Sequence, residues 1–442
     1  MKTRKTSPFF VWLVVVALML TLLAAQMSAQ GSPVVPDIGF EIEGNTALDQ
    51  GGDYDWETVD RPPGILIQDP NSKATTDPTH FRPNSKFDAP ENWSVVPGQV
   101  GPGQNELTNI LAWVIPPGDL PDGGPNDLWL VLGMERTKQE GTFDLDFEFN
   151  QVPWDGSSGG PTRTPGDLVV GFELKGNPTD RQQDLQVLIA QFYAPGEGPS
   201  LCKVTPGTGN EPALVEVGDE PCPPYGDSGW YYRVLSDGAV LSDSGLGQAT
   251  MNEEPFPAPW DSTDAQGNPR AEIGPFQFAE AALNLTELGI EATCSTFSTV
   301  HAKSRSSLEV ESDLKDLAGP IPLEIMCRLD GHKFLDVNGN GVWDKPDEPP
   351  LEGWEITLSD GSVTLTDADG YYEFEGLKDG TYTVQEVCPE SWVQSAPGFT
   401  DFDTCGDEVY TVEINLQNRE ENDLDFGNGR PELELTKLCP AD

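Results

Sequence analysis

The chain has 442 residues, with 74 acidic and 25 basic side chains, three histidines and a formal net charge of −49. A surface that acidic repels nucleic acid and anionic membrane, and it suits a salty or calcium-rich medium in which counterions screen the repulsion. With 46 glycines, 40 prolines and 37% hydrophobic residues, the composition favours β modules joined by turns over helical bundles.

Met1–Ala29 reads as an export signal. Lys2, Arg4 and Lys5 form its positive region and Phe9–Ala25 its apolar run. Cleavage is expected after Ala29. An uncleaved N-terminal anchor is the alternative, and it is the one route to a membrane expected here. Export makes disulfides expected. Pairing of neighbours gives Cys202–Cys222, Cys294–Cys327 and Cys388–Cys405, although six cysteines allow 15 connectivities. Each bridge of this span contributes on the order of 3 kcal/mol. Cys439 is left over.

Residues 30–36 form a short lead. From Asp37 to about Met326 the chain reads as one large β domain. Gly39–Asn45, Asp127–Thr137, Gly141–Val152, Gly166–Gly176 and Gln183–Tyr193 alternate apolar and polar residues as strands do, with Gly, Pro and Asp clusters between them. Gly51–Gly103 and Gly196–Asp227 read as long polar loops. Phe276–Gly289, FQFAEAALNLTELG, is the best helix candidate, and Arg305–Gly319 closes the domain. The expected fold is all-β: a large jelly-roll-like β-sandwich with one short helix. In GFEIEGN, DYDWETV, PGDLVV, ALNLTELG, SRSS and SDLKDLAG this region resembles an N-terminal domain of secreted bacterial multi-module proteins. That resemblance locates the domain and implies no activity.

Asp336–Glu348, DVNGNGVWDKPDE, is the stretch with the most specific spacing. A calcium ion takes roughly six to eight oxygen ligands, and a 12-residue loop supplies them from positions 1, 3, 5, 7, 9 and 12 with Gly at 6. Counting from Asp336 puts Asn338, Asn340, the Val342 carbonyl, Asp344 and Asp347 at the later ligand positions and Gly341 at the turn. Position 12 is Asp where Glu is usual, with Glu348 next to it. Two neutral amides in the set imply modest affinity, and no helical pattern flanks the loop. The competing reading is an Asx-rich turn that satisfies its own backbone.

Residues 327–429 form a second module. GHKFLDVNGNGVWDKPDEPPLEGWEITL followed by TLTDADGYYEFEGLKDGTYTVQE resembles the B-type domain of staphylococcal SD-repeat surface proteins, a relative of the collagen-adhesin B fold. The resemblance implies a small prealbumin- or immunoglobulin-like sandwich of about seven strands and calcium at Asp336, Asn338, Asn340, Asp344, Asp347 and Glu348. The residues agree with it. Trp354, Ile356 and Leu358 alternate on one strand, Asp369-Gly370 makes a hairpin turn, and Tyr372, Phe374 and Leu377 face inward. Gly380 turns the chain into Tyr382, Val384 and Glu386. Collagen-adhesin B folds can also carry a Lys–Asn crosslink beside a buried acid, for which Lys333, Asn428 and Glu386 are the candidates. Residues 430–442 read as a tail or the stub of a further module.

Three stretches invite other chemistry. Asp144, Asp146 and Glu148 share one face of a strand and resemble the acid-rich strand of β-sandwich glycosidases. The other expectation for that face is solvated or cation-binding. Trp56, Trp93, Trp154, Trp230 and Trp260 sit in or beside loops, where they would stack on sugars or fill core. His80, His301 and His332 have no metal spacing and read as surface histidines. The expectation is a secreted, non-enzymatic surface or matrix protein with a recognition head and a calcium-stiffened spacer, whose partner is a cell-surface or matrix protein or a glycan. The alternative is a carbohydrate-binding protein or glycosidase of the cell envelope.

Overall fold

The computed structural model describes residues 33–430 apart from 60–64, 83–89, 91–92, 102–104, 121–125, 157–158, 175–184, 194–200, 206–212, 222–230, 238–245, 291–292, 295–296, 307–311, 324, 326 and 401–404. Among the described residues every regular element is a strand. They begin with β1 (Val34–Val35), β2 (Phe40–Glu41), β3 (Ile65–Gln68), β4 (Asp77–Phe81), β5 (Val95–Gly98), β6 (Leu107–Ile115) and β7 (Trp129–Arg136). Next come β8 (Phe143–Asn150), β9 (Leu168–Leu174), β10 (Leu185–Tyr193), β11 (Leu201–Thr205), β12 (Ala213–Pro221), β13 (Tyr231–Asp237) and β14 (Gly247–Met251). They are followed by β15 (Phe256–Thr263), β16 (Pro269–Ile273), β17 (Phe278–Asn284), β18 (Thr299–Arg305) and β19 (Leu314–Pro322).

Two sheets carry the architecture. One has eight strands in the order β11-β12-β13-β10-β9-β8-β18-β19, the other five in the order β14-β17-β7-β6-β3. Alternate residues of each strand meet between them. Leu130, Leu132 and Met134 of β7 and Ala279, Ala281 and Leu283 of β17 share one core with Phe143, Leu145, Phe147 and Phe149 of β8. The outward residues are covered as well. Leu111, Trp113 and Val131 lie under Phe40, Trp56, Trp260 and Ile273. On the far side, Val169, Ala190 and Leu317 lie under Phe81, Trp93 and Trp154. This double cover explains why every residue of β6, β7, β8 and β17 is buried, and why the apolar run of β6 lacks the alternation of a half-exposed strand.

Several expectations are corrected. The helix candidate is β17, antiparallel to both β14 and β7. Its alanines suit a helix locally, but a strand with a layer on each face needs small residues on both, and tertiary packing overrides propensity. The two long polar segments hold β3, β4, β5, β11 and β12. Trp56, Trp93, Trp154 and Trp260 are buried cover residues with no exposed ring for a sugar, while Trp230 lies outside the described residues. His301 is buried rather than on the surface.

The remaining strands are β20 (Arg328–Leu335), β21 (Glu355–Leu358), β22 (Val363–Leu365), β23 (Tyr371–Phe374), β24 (Gly380–Glu386), β25 (Val393–Ala396), β26 (Tyr410–Ile414), β27 (Glu420–Glu421) and β28 (Phe426–Gly429). They form a sheet β23-β20-β28-β25, with β27 also paired to β20, and a sheet β22-β21-β24-β26. Nine strands thus stand where about seven are expected. Trp354, Ile356, Leu358, Tyr372, Phe374, Leu377, Tyr382 and Val384 all enter the core. Gly370 (φ 75°) turns the chain as expected, yet β22 and β23 on either side of it join opposite sheets.

Cys294–Cys327 and Cys388–Cys405 are bonded. The expected Cys202–Cys222 bridge and Cys439 lie outside what is described. Cys294 also donates its amide to Asp379 at 2.7 Å, and Arg419 pairs with Asp119. The core runs through Leu323, Ile325 and Cys327 into Leu329 without a break. If β17 is a doubly covered strand, Ala281→Leu overpacks the core. Denaturant unfolding should then show a loss of about 1–3 kcal/mol, whereas an exposed-helix position would tolerate the change.

Candidate functional site

The loop Asp336–Glu348 leaves β20 at the point where Leu335 pairs with Asn428 of β28. Asp336 is buried and its two carboxylate oxygens accept the amides of Gly339 (2.6 Å), Asn340 (3.2 Å) and Gly341 (2.7 Å). Burial opposes ionisation of Asp336, but hydrogen bonds from Ser395 and these three amides outweigh it and hold the carboxyl below its ordinary range. Glu348, also buried, accepts the amides of Val337 at 2.8 Å and Asp344 at 3.0 Å. Asn338 and Asn340 both turn their side chains to Asp344, at 2.7 and 2.9 Å. Gly341 has φ 75°, the left-handed backbone that the turn requires. Asp347 and Val342 are exposed.

The donor set is wholly oxygen and suits a hard cation such as calcium. Asp336, Asn338, Asn340, Val342, Asp344, Asp347 and Glu348 all belong to this one loop, Asp336 and Glu348 buried and Asp344 and Asp347 exposed. The internal hydrogen bonds are those of an Asx-rich turn, so the same residues serve both readings. Three described groups bring ligand atoms within 4.8 Å of one another, and the loop acids are not among them. In the group Glu386, Cys388 and Cys405, the cysteines are consumed by their disulfide. In the group Glu41, Glu43 and Asp49, Glu41 already accepts the amides of residues 49, 50 and 52. The third is Asp69, Asp77 and Asp316, of which Asp77 and Asp316 are buried.

A few residues from the loop, β20 and β28 run parallel, with Lys333 opposite Phe426. Lys333 Nζ lies 2.5 Å from Asn428 Oδ1 and 3.4 Å from a Glu386 carboxylate oxygen. All three side chains are buried, and the Trp354 ring centroid is 4.5 Å from Lys333 Nζ. Burial draws the Lys333 ammonium down to about 8 against the attraction of Glu386 and Asp336. Burial also raises Glu386, more than Lys333 and Asn428 lower it. Both shifts favour a neutral amine next to a protonated acid. Motif spacing could nominate these residues, but it could not show that they touch.

The acid-bearing strand β8 is neither solvated nor an open cleft. Glu148 is enclosed by Arg163 Nε at 2.7 Å and Lys303 Nζ at 2.5 Å, and Arg305 lies 2.7 Å from Asp146. Burial would raise Glu148, but Arg163 and Lys303 hold it well below the carboxylate range. Asp144, buried with less compensation from Arg305, is pushed up to about 7. His301 packs against Trp154 and Trp93 at centroid distances of 5.1 and 5.9 Å, and burial takes it down to about 3. Spacing does not reveal this cluster, because β8 and β18 and the loops carrying Trp93, Trp154 and Arg163 meet only through sheet order.

Residues 330–429 match the family model of the SdrD B-like domain. The chain is 41% identical over 72 residues to serine-aspartate repeat-containing protein F of Staphylococcus epidermidis, a match covering 15% of this chain and 4% of that protein. It is 30% identical over 112 residues to bone sialoprotein-binding protein of Staphylococcus aureus (strain MRSA252), covering 24% of this chain and 10% of that protein. The chain thus spans no more than 10% of the length of these relatives. Among solved structures, the minor pilin GBS52 of Streptococcus agalactiae is similar over 41% of this chain and 71% of that chain, at 15% identity and a TM-score of 0.18.

Removing one partner of a buried ion pair takes compensation from the charge left behind. Lys303→Met leaves Glu148 with Arg163 as its remaining ion-pair partner and should cost about 1–3 kcal/mol in denaturant unfolding. The pH dependence has a fixed sign. Because the folded Glu148 pKa is depressed, its contribution is fully present above the ordinary carboxyl value of 4.5. It is lost as pH falls below that value toward the folded pKa, so the wild type should lose stability in that acid window faster than Glu148→Gln.

Proposed function

We propose that this chain is an exported surface or matrix protein in which residues 327–429 form a stiff, non-catalytic spacer behind a recognition region at 37–326. The observation that carries the reading is the buried contact of Lys333 with Asn428 and Glu386, which ties the first strand of the SdrD B-like region to its last. An acidic surface, two bonded disulfides and the export-signal pattern of Met1–Ala29 support the setting. One relative is named for binding bone sialoprotein. The partner class carried over is a matrix or cell-surface protein, met by the recognition region.

Two devices supply stiffness. Asp336, Asn338, Asn340, Asp344, Glu348 and the Val342 carbonyl, with Asp347 at the rim, hold calcium. When bound, the ion neutralises the loop carboxylates and cross-ties backbone at one pole of the sandwich. The second device is an amide between Lys333 and Asn428. The neutral Lys333 amine attacks Asn428 Cγ and the Nζ–Cγ bond forms. Glu386 gives its proton to Nδ2 as the Cγ–Nδ2 bond breaks and ammonia leaves, and takes one from the attacking nitrogen. The acid ends as it began.

Intact mass should lie about 17 Da, one ammonia, below the value calculated with the disulfides included, and Glu386→Gln should restore that mass. An unshifted wild-type mass would remove the crosslink. Thermal melts of the full chain test the loop. Calcium should raise the midpoint relative to chelator, and Asp336→Ala should shrink that shift. A shift untouched by Asp336→Ala would sink the calcium assignment there.

A further inference from the structure

Several buried acids of the large sandwich have basic partners: Arg163 and Lys303 for Glu148, Arg305 for Asp146, Arg270 for Glu135. Others are met by neutral donors, as Glu280 is by the Gly44 amide and Trp56. Another group has no base and is only partly met by donors. Asp69, Asp77 and Asp316 bring ligand oxygens within 4.8 Å of one another, and Glu106 is close enough to repel Asp69. Asp77, Asp316 and Glu106 are no more than 1% exposed. Among the described residues no Lys, Arg or His forms an ion pair with any of the four, and Lys73 reaches Glu106 only at longer range.

Protein donors satisfy part of this set. Asp316 accepts the amides of Leu107 at 2.8 Å and Leu317 at 3.0 Å. Glu106 accepts the amide and the hydroxyl of Ser72. Asp77 Oδ1 accepts the amide and the hydroxyl of Thr79 at 2.8 and 3.0 Å. The Oδ2 atoms of Asp77 and Asp69 are buried with no donor among the described residues. An unpaired carboxylate in that position is costly, and burial with mutual repulsion raises both Asp69 and Asp316. A proton shared between Asp77 and Asp316 would remove one charge of four. A divalent ion removes two and occupies the vacant lone pairs.

The place in the fold gives such an ion a purpose. Asp69 follows β3, the edge strand of the five-stranded sheet, and Asp316 belongs to β19, the edge strand of the eight-stranded sheet. Asp77 opens β4, and Glu106 directly precedes β6. We propose that Asp69, Asp77 and Asp316, with Glu106 alongside, bind a hard divalent cation of the calcium class that clamps the two sheet edges together. Every donor is oxygen, and no thiolate or imidazole is present to favour a softer metal. The site is independent of the loop at Asp336.

The test uses the full chain carrying Asp336→Ala, stripped with chelator and titrated with calcium chloride by calorimetry. We expect one ion still bound per chain, and we expect added Asp77→Asn to weaken uptake roughly tenfold or more. Absence of binding in the Asp336→Ala chain, or binding unchanged by Asp77→Asn, overturns the proposal. If Asp77→Asn does not fold, wild-type crystals soaked in terbium decide. An anomalous peak about 2.3–2.6 Å from the Asp69, Asp77 and Asp316 oxygens upholds the site. Ordered carboxylates with no peak mean a shared proton and overturn it.

Discussion

A chain with 74 acids and 25 bases that buries sheets on both faces cannot keep all its carboxylates in water. Each one taken inside must find donors or a counter-charge, because a lone buried carboxylate costs several kcal/mol even after relaxation. That constraint selects the arrangement of the large sandwich. Glu148 sits between Arg163 and Lys303. Glu135 accepts Trp260, Ser262 and Asn109 at 2.7–2.8 Å and pairs with Arg270. Glu280 accepts the Gly44 amide at 2.6 Å and Trp56 Nε1 at 3.0 Å.

These contacts also fix which covering layer lies where. Apolar burial holds the covers against the sheets but is indifferent to register. Glu280 lies on central strand β17 and Trp56 on the cover, so their bond sets the cover's position over the five-stranded sheet. Glu135 does the same for the β15–β16 hairpin through Trp260 and Arg270. Buried carboxylates thus act as addresses, and Trp56 and Trp260 are held over the five-stranded sheet by their indole N–H groups as well as by area.

The sequence displays some of this and conceals the rest for physical reasons. Strands β7, β8 and β9 are legible because their alternation survives burial. So are the inward residues of 327–429 and two of the neighbour disulfides. The strand β17 was not, because Ala-rich segments buried on both faces carry a helix-like local signal. β6 shows an apolar run with no alternation, and β3–β5 are only four or five residues long and set among polar, Gly- and Pro-containing stretches. The residues of the Lys333 pocket were nominated by resemblance, yet only the parallel pairing of β20 with β28 brings them into contact. No spacing rule could assemble Asp69, Asp77, Glu106 and Asp316, since sheet order and not chain order makes them neighbours.

The Cys294–Cys327 bond encloses β18 and β19 within a covalent loop of 33 residues. Tension applied beyond Arg328 therefore passes through sulfur to Cys294 and bypasses β19, the strand that would otherwise peel first from the sheet edge. Extended, those residues represent roughly 110 Å of contour length. A protein stretched under oxidising conditions withholds that length, and reduction releases it.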